Sequence, residues 1–326
     1  MEKKQNTILK KVKRSEYLTN LVIGVVKATV RKLVGREKFV LNKYNGKNIL
    51  SNVDANRLLK ESILKGEPFM AARFGDGELR SVVCYMNRVF NIQKKYPEYV
   101  KIAMGRNAGF FPVNNNELDA FGELMLQSCR EIDILAVWFN LLEDYVYRSF
   151  GPSYGKCMYL KGLEPFWYDE PWTSALQGKR VLVIHPFTDT IQSQYRNRDK
   201  LFKNKQTLPE FQLIPLKAVQ SIGGGNDRFA SWFEALEWMF EEAMKIEFDV
   251  ALIGCGAYGL PLAAKLKKAN KIAIHMGGVT QFMFGIKGAR WDASPDYIKF
   301  YNDYWCRASG NEIPQVAKEI ENGCYW

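Results

Sequence analysis

From residue 51 onward the chain alternates short, nearly unbroken apolar runs with longer stretches whose apolar positions recur every three or four residues. The runs predict strands at 68–73, 133–138, 156–160, 180–185, 211–216, 248–254 and 271–275. The stretches between them predict helices near 53–65, 77–86, 116–130, 189–204, 227–245 and 260–269. A strand that is apolar on both sides needs cover on both faces, and helices placed between successive strands supply it. The pattern therefore predicts an α/β fold, a Rossmann-like open and mostly parallel sheet flanked by helices. In such a sheet ligands bind beyond the carboxyl ends of the strands. The segments in that position are RFGDGE, HPF, GCGAYG and HMGG, after the first, fourth, sixth and seventh runs.

The first 50 residues follow a different pattern. YLTNLVIGVV, residues 17–26, is flanked by KKVKR before and a Lys/Arg-rich stretch after. Ten residues are too few to span a bilayer, which takes roughly 20. As a helix over 16–33 it has apolar residues at 18, 22, 25, 26, 30 and 33, with Lys27, Arg31 and Lys32 toward its end. Three readings are open: a basic amphipathic helix on an anionic membrane surface, a helix docked on the body, and a signal peptide, which lacks an A-x-A-like cleavage site. NKYNGKNILSN, residues 42–52, is polar and turn-rich and reads as a linker. The division expected is a basic amphipathic arm and linker over 1–50 and an enzyme domain over 51–326.

Composition narrows the function classes. The 326 residues are 47% apolar and 13% aromatic, enough for a large core, which excludes a disordered or fibrous chain. The net charge of +11 points first to nucleic acid, but residues 1–48 hold 13 Lys or Arg against three Glu, a net of +10. The body is nearly neutral, so no specific nucleic-acid partner is expected. The six cysteines are far apart with no CxxC pair, and two histidines leave little for a zinc site. Free thiols in a reducing cytoplasm are expected.

In FDVALIGCGAYGLPLAAKLKK, Gly254, Gly256 and Gly259 have GxGxxG spacing between a strand and a helix. Such glycines let a backbone approach a diphosphate at a helix N-terminus. NAD binding also wants an acid about 20 residues on, and between Asp249 and Asp292 there is neither Asp nor Glu. A diphosphate cradle without a dinucleotide and plain strand-to-helix packing both remain open. SIGGGND, residues 221–227, ends in no GK[ST] and so gives no support for ATP hydrolysis.

In MAARFGDGELRSVV, residues 70–83, a strand runs into Arg73, turns through Gly75 and Gly77, and sets Asp76 and Glu78 two residues apart. In an extended segment those carboxylates share a side and suit Mn²⁺ or Mg²⁺; at a helix start, Asp76 is a cap and Glu78 complements the dipole. A metal-bound diphosphate satisfies both motifs, and a nucleotide sugar is the commonest such ligand without ATPase motifs. Gln281, Lys287 and Arg290 are further candidates for diphosphate contact, and His185 and His275, at strand ends, for phosphate or sugar hydroxyls. PFWYDEPWTS, residues 165–174, reads either as an acceptor loop, with Asp169 or Glu170 as base, or as a packed surface loop.

RFGDGE, IGCGAYGLPLAAKLKK and HMGGVTQFMFGIKGARW together resemble the bacterial glycosyltransferases of the GT-D fold, over about residues 50–295. The resemblance implies that Asp76 and Glu78 form a D-x-E motif binding the metal of a nucleotide-sugar donor. It implies a hexosyl transfer, with a UDP-sugar the expected donor, to a glycan, lipid-linked or glycoprotein acceptor in surface polysaccharide or glycan assembly. The enzyme is expected in the cytoplasm, peripheral on the inner face of the cell membrane. The rivals are a Rossmann-type NAD(P)-dependent oxidoreductase, disfavoured by the missing acid, and a non-enzymatic membrane- or nucleic-acid-binding module.

Overall fold

A computed structural model of the chain describes residues 8–35, 39, 41–44, 46–317, 320 and 323–326. All seven expected strands are present: β3 (Phe69–Ala72), β4 (Ile134–Val137), β5 (Lys156–Tyr159), β6 (Arg180–His185), β7 (Gln212–Lys217), β8 (Val250–Ile253) and β9 (Ile272–His275). Two more, β1 (Lys43–Tyr44) and β2 (Lys47–Leu50), make a hairpin at one edge. The nine strands lie in the order β1-β2-β5-β4-β3-β9-β8-β6-β7, and every pairing but β1 with β2 is parallel. This is the open, mostly parallel sheet that the apolar runs predict.

Strand residues alternate between the two faces as the pleat requires. Met70, Ala72, Leu135, Val137, Leu182, Ile184, Ala251 and Ile253 enter one core layer, and Phe69, Ala71, Ile134, Ala136, Val181, Val183, Val250 and Leu252 enter the other. The first layer is covered by α1 (Arg14–Val34), α3 (Asp76–Val89) and the helices Asn115–Cys129, Trp232–Met244 and Gly259–Lys268. The second is covered by α2 (Asn52–Lys65), Thr188–Tyr195 and the segments after β9. The helical pattern over 189–204 divides into Thr188–Tyr195 and Arg198–Leu201.

The segment that reads as a linker is a correction. KY and KNIL are too short to leave an apolar run, yet Ile49 pairs with Cys157 of β5, and Tyr44 and Ile49 are buried. Pairing to a distant strand, with a left-handed Gly46 at the turn, makes this stretch part of the sheet. The arm's helix does form, and it docks: Tyr17 is fully buried in the first core layer, with its ring stacked 4.9 Å from that of Phe90.

Candidate functional site

Adjacent strands whose following helices leave toward opposite faces open a crevice at the sheet's carboxyl edge. After β3 the chain enters α3 on the first layer, while after the neighbouring β9 it enters Val279–Met283 on the second. The same divergence occurs between β8 and β6, whose helices Gly259–Lys268 and Thr188–Tyr195 take opposite faces. A cavity of about 370 Å³ occupies this place, a size that suits a small-molecule ligand. Its wall includes Arg73, Gly75, Asp76, Gly77 and Glu78 after β3, and His185 at the end of β6. Gly254 and Gly256 after β8, His275 at the end of β9, and Gln281 and Arg290 beyond it also line the cavity. Four separated segments thus meet because their strands are parallel.

Two candidates lie elsewhere. Gly259 does not line the cavity: a Cβ there would overlap the His275 imidazole, so this glycine lets the helix sit closely on β9. Lys287 also lies outside the wall, with its ammonium 5.1 Å from the Tyr301 ring centroid. Gly254 likewise serves packing, since a Cβ would stand 2.6 Å from Thr280 Oγ1 and 2.7 Å from the His185 ring. Gly256 differs, with φ of +57° and open space where a side chain would go. Strand-to-helix packing therefore accounts for two of the three motif glycines, and backbone conformation for the third.

The two carboxylates do not arise from an extended segment. Gly75 is the N-cap and α3 begins at Asp76, so Asp76 and Glu78 stand in the first helical turn, about 200° apart around its axis. Both still face the cavity. Asp76 accepts from Arg80 Nε at 2.8 Å, one turn on. Glu78 folds back over the N-cap, where any Cβ at Gly75 would overlap its carboxylate. The favourable helix dipole explains why acids suit this turn. Among the described residues no group of three or more His, Cys, Asp or Glu is placed to hold a metal ion. Carboxylates are the hard oxygen donors that Mg²⁺ or Mn²⁺ takes alongside water and substrate phosphate, so Asp76 and Glu78 are the candidates for such a role.

Arg73 is a half-buried cation of the site. Its guanidinium lies 4.5 Å from the Trp138 ring centroid, and Nη2 donates to the Phe74 carbonyl at 3.1 Å. Burial lowers its pKa from the ordinary value, and the Glu78 carboxylate is the largest influence acting the other way. Gly277 gives it room, since a Cβ there would stand 2.7 Å from Nη1. Trp138 is held in turn by the buried Glu143, whose Oε2 accepts from the Trp138 backbone N–H at 3.0 Å and from the Tyr44 hydroxyl at 2.9 Å. Burial pushes the Glu143 pKa up to about 7, against those hydrogen bonds.

Both histidines are neutral, burial lowering their pKa to about 3. His185 Nδ1 accepts from the Phe187 backbone N–H at 3.0 Å, so its proton is on Nε2. Gln281 is buried, with Nε2 donating to the Tyr325 carbonyl at 3.0 Å. Arg290 lies 4.0 Å from the Tyr325 ring centroid. The cavity wall also holds Tyr99, Trp138, Phe187, Ser221, Tyr258, Tyr325 and Trp326. Trp138 directly follows β4, so the strand-end rule reaches it; no local pattern marks Tyr325 or Trp326.

The aromatic segment 165–174 is not an acceptor loop of this cavity. Phe166 and Trp172 are buried in the second layer, the Trp172 backbone N–H donates to Asn56 Oδ1 at 2.7 Å, and Glu170 stands 3.6 Å from Lys60. Asp169 and Glu170 do not line the cavity. All six cysteines are free.

No protein-family model and no curated protein matches the chain. Among solved structures, it is similar to one described as the highly conserved domain of unknown function 1792 with a distinct glycosyltransferase fold. That match has 12% identity and a TM-score of 0.47, covering 82% of this chain and 94% of the other. It is also similar to one described as a new glycosyltransferase (DUF1792) from Streptococcus sanguinis. There the identity is 14% and the TM-score 0.44, over 81% of this chain and 96% of the other. At this distance the chemistry of the cavity rests on its own residues.

Proposed function

We propose that the protein is a glycosyltransferase that moves a hexosyl group from a nucleoside-diphosphate sugar, a UDP-sugar by expectation, to a glycan, lipid-linked or glycoprotein acceptor in bacterial surface-glycan assembly. The observation that carries this reading is one cavity in which two hard carboxylates, the half-buried Arg73, the rim residue Arg290 and aromatic walls converge at the crevice of a parallel sheet. A ligand that is polyanionic at one end and flat or hydroxylated elsewhere matches that mixture.

As the glycosyl bond breaks, negative charge grows on the departing diphosphate. Arg73, already fixed by Trp138 and the Phe74 carbonyl, is a preorganised cation for that charge, and Arg290 is a second. Asp76 and Glu78 would hold the divalent ion, which when bound supplies further neutralisation of the diphosphate. His185 can donate a hydrogen bond from Nε2 but brings no charge. The exposed ring of Tyr99 on the cavity wall offers a face for stacking of base or sugar. The oxidoreductase rival gains nothing from the glycine motif, because Gly254 and Gly259 are occupied with packing and β9 ends in His275.

The test is the thermal midpoint of the full chain with UDP, with and without Mn²⁺, and with NAD. A ligand of the native state present at a hundred times its Kd adds about 2.7 kcal/mol of stability. The expected result is a rise with UDP that grows with Mn²⁺ and none with NAD. A clear, metal-independent rise with NAD reverses the ranking of the two enzymes.

A further inference from the structure

Helix α1 is held by one face and leaves an apolar stripe on the other. On the docked side the Tyr17 hydroxyl donates to Asn87 Oδ1 at 2.8 Å, Arg14 Nε donates to the Phe90 carbonyl at 2.9 Å, and Gly24 lies against Leu142. Farther along, Lys27 pairs with Asp144 at 2.5 Å and Arg31 donates to the Phe139 carbonyl at 2.8 Å. Docking residues 17, 24, 27 and 31 follow the helical period. Directly opposite stand Val22, Val26, Val30 and Leu33, which are 65%, 57%, 42% and 81% exposed. A globular helix normally turns its apolar side inward. Here the inward side is filled and a second apolar side remains.

We propose that this outward stripe of α1 lies on an anionic membrane surface, making α1 a fixed keel and not a detachable tether. Charge selects the occupant. Residues 1–48 carry a net of +10, so two copies meeting through this face would bring like charges together, whereas an anionic lipid surface attracts them. Insertion of the stripe to the headgroup boundary supplies the contribution that salt does not screen. Spanning is not available to it, since no helix among the described residues is long and apolar enough to cross a membrane. The carbonyl that receives Arg31 belongs to Phe139, the neighbour of the cavity residue Trp138, so the docked face of α1 rests on the segment that leads out of the cavity wall while the stripe faces away from it. The membrane contact does not depend on the glycosyltransferase reading.

The experiment is co-sedimentation of the full chain with phosphatidylcholine vesicles, with and without phosphatidylglycerol, at low and high salt. The variant is Val22→Asp/Val26→Asp/Leu33→Asp, whose positions make no core contact. Wild type should bind the anionic vesicles, more weakly but measurably at high salt, and the variant at least about tenfold more weakly with an unchanged thermal midpoint. Absence of wild-type binding, or equal binding by the variant, overturns the proposal. So does wild-type self-association that the variant abolishes without lipid, which would assign the stripe to a second copy. None of these readouts uses turnover.

Discussion

Gly259→Ala distinguishes a glycine that receives phosphate from one that lets a helix approach a strand. The residue already has helical angles, φ −61° and ψ −46°, so alanine brings no backbone strain and in a helix favours folding by about 1 kcal/mol. Its methyl group, however, would enter the space of the His275 imidazole, which is buried under the helix at the end of β9. Forcing a methyl into a packed core costs typically about 1–3 kcal/mol. The net expectation is a loss of about 0–2 kcal/mol, lowering the thermal midpoint by up to a few degrees. Urea denaturation of the wild type, Gly259→Ala, His275→Ala and the double variant measures it as a cycle. The double variant should be more stable than the sum of the singles predicts by about 1–3 kcal/mol, because removing the ring removes the clash. Strict additivity, or an unchanged stability accompanied by lost UDP binding, refutes the packing account and returns Gly259 to the ligand.

Glu143 predicts a pH dependence of stability. Its folded pKa of about 7 stands above the ordinary 4.5, so the folded state keeps a proton that the unfolded chain releases; its contribution is full below about pH 4.5 and lost as the pH rises through about 7. The loss is on the order of 3 kcal/mol, and Glu143→Gln should flatten that part of the stability profile; an unchanged slope assigns the effect elsewhere. Asp76→Asn and Glu78→Gln are expected to cut sugar transfer by about 100-fold or more. Asp76→Asn should hardly change the midpoint, because its ion pair with Arg80 is exposed and such pairs contribute little. Transfer at wild-type rates in both variants, with and without chelator, would remove the metal assignment.

The apolar runs by themselves determined seven of the nine strands and their parallel arrangement, because a strand buried on both faces must be apolar throughout, and that is a local property. The same reasoning placed RFGDGE, HPF, GCGAYG and HMGG at one sheet edge, where the cavity is. What only the tertiary structure decided depends on distant neighbours. The hairpin of β1 and β2 exists because β5 is there to pair with Ile49 and Leu50. The reach of Asp76 and Glu78 was misjudged from extended geometry, since α3 starts one residue earlier than the helical pattern indicates and turns them apart. Gly254 and Gly259 match a phosphate motif in spacing, but the side chains that require their smallness, Thr280, His185 and His275, lie elsewhere in the sequence. Tyr325 and Trp326 join the wall after a fold-back that no period encodes. Periodicity reports which faces of an element are apolar; which surface each face meets is set by packing, as α1 demonstrates with one face docked and the other exposed.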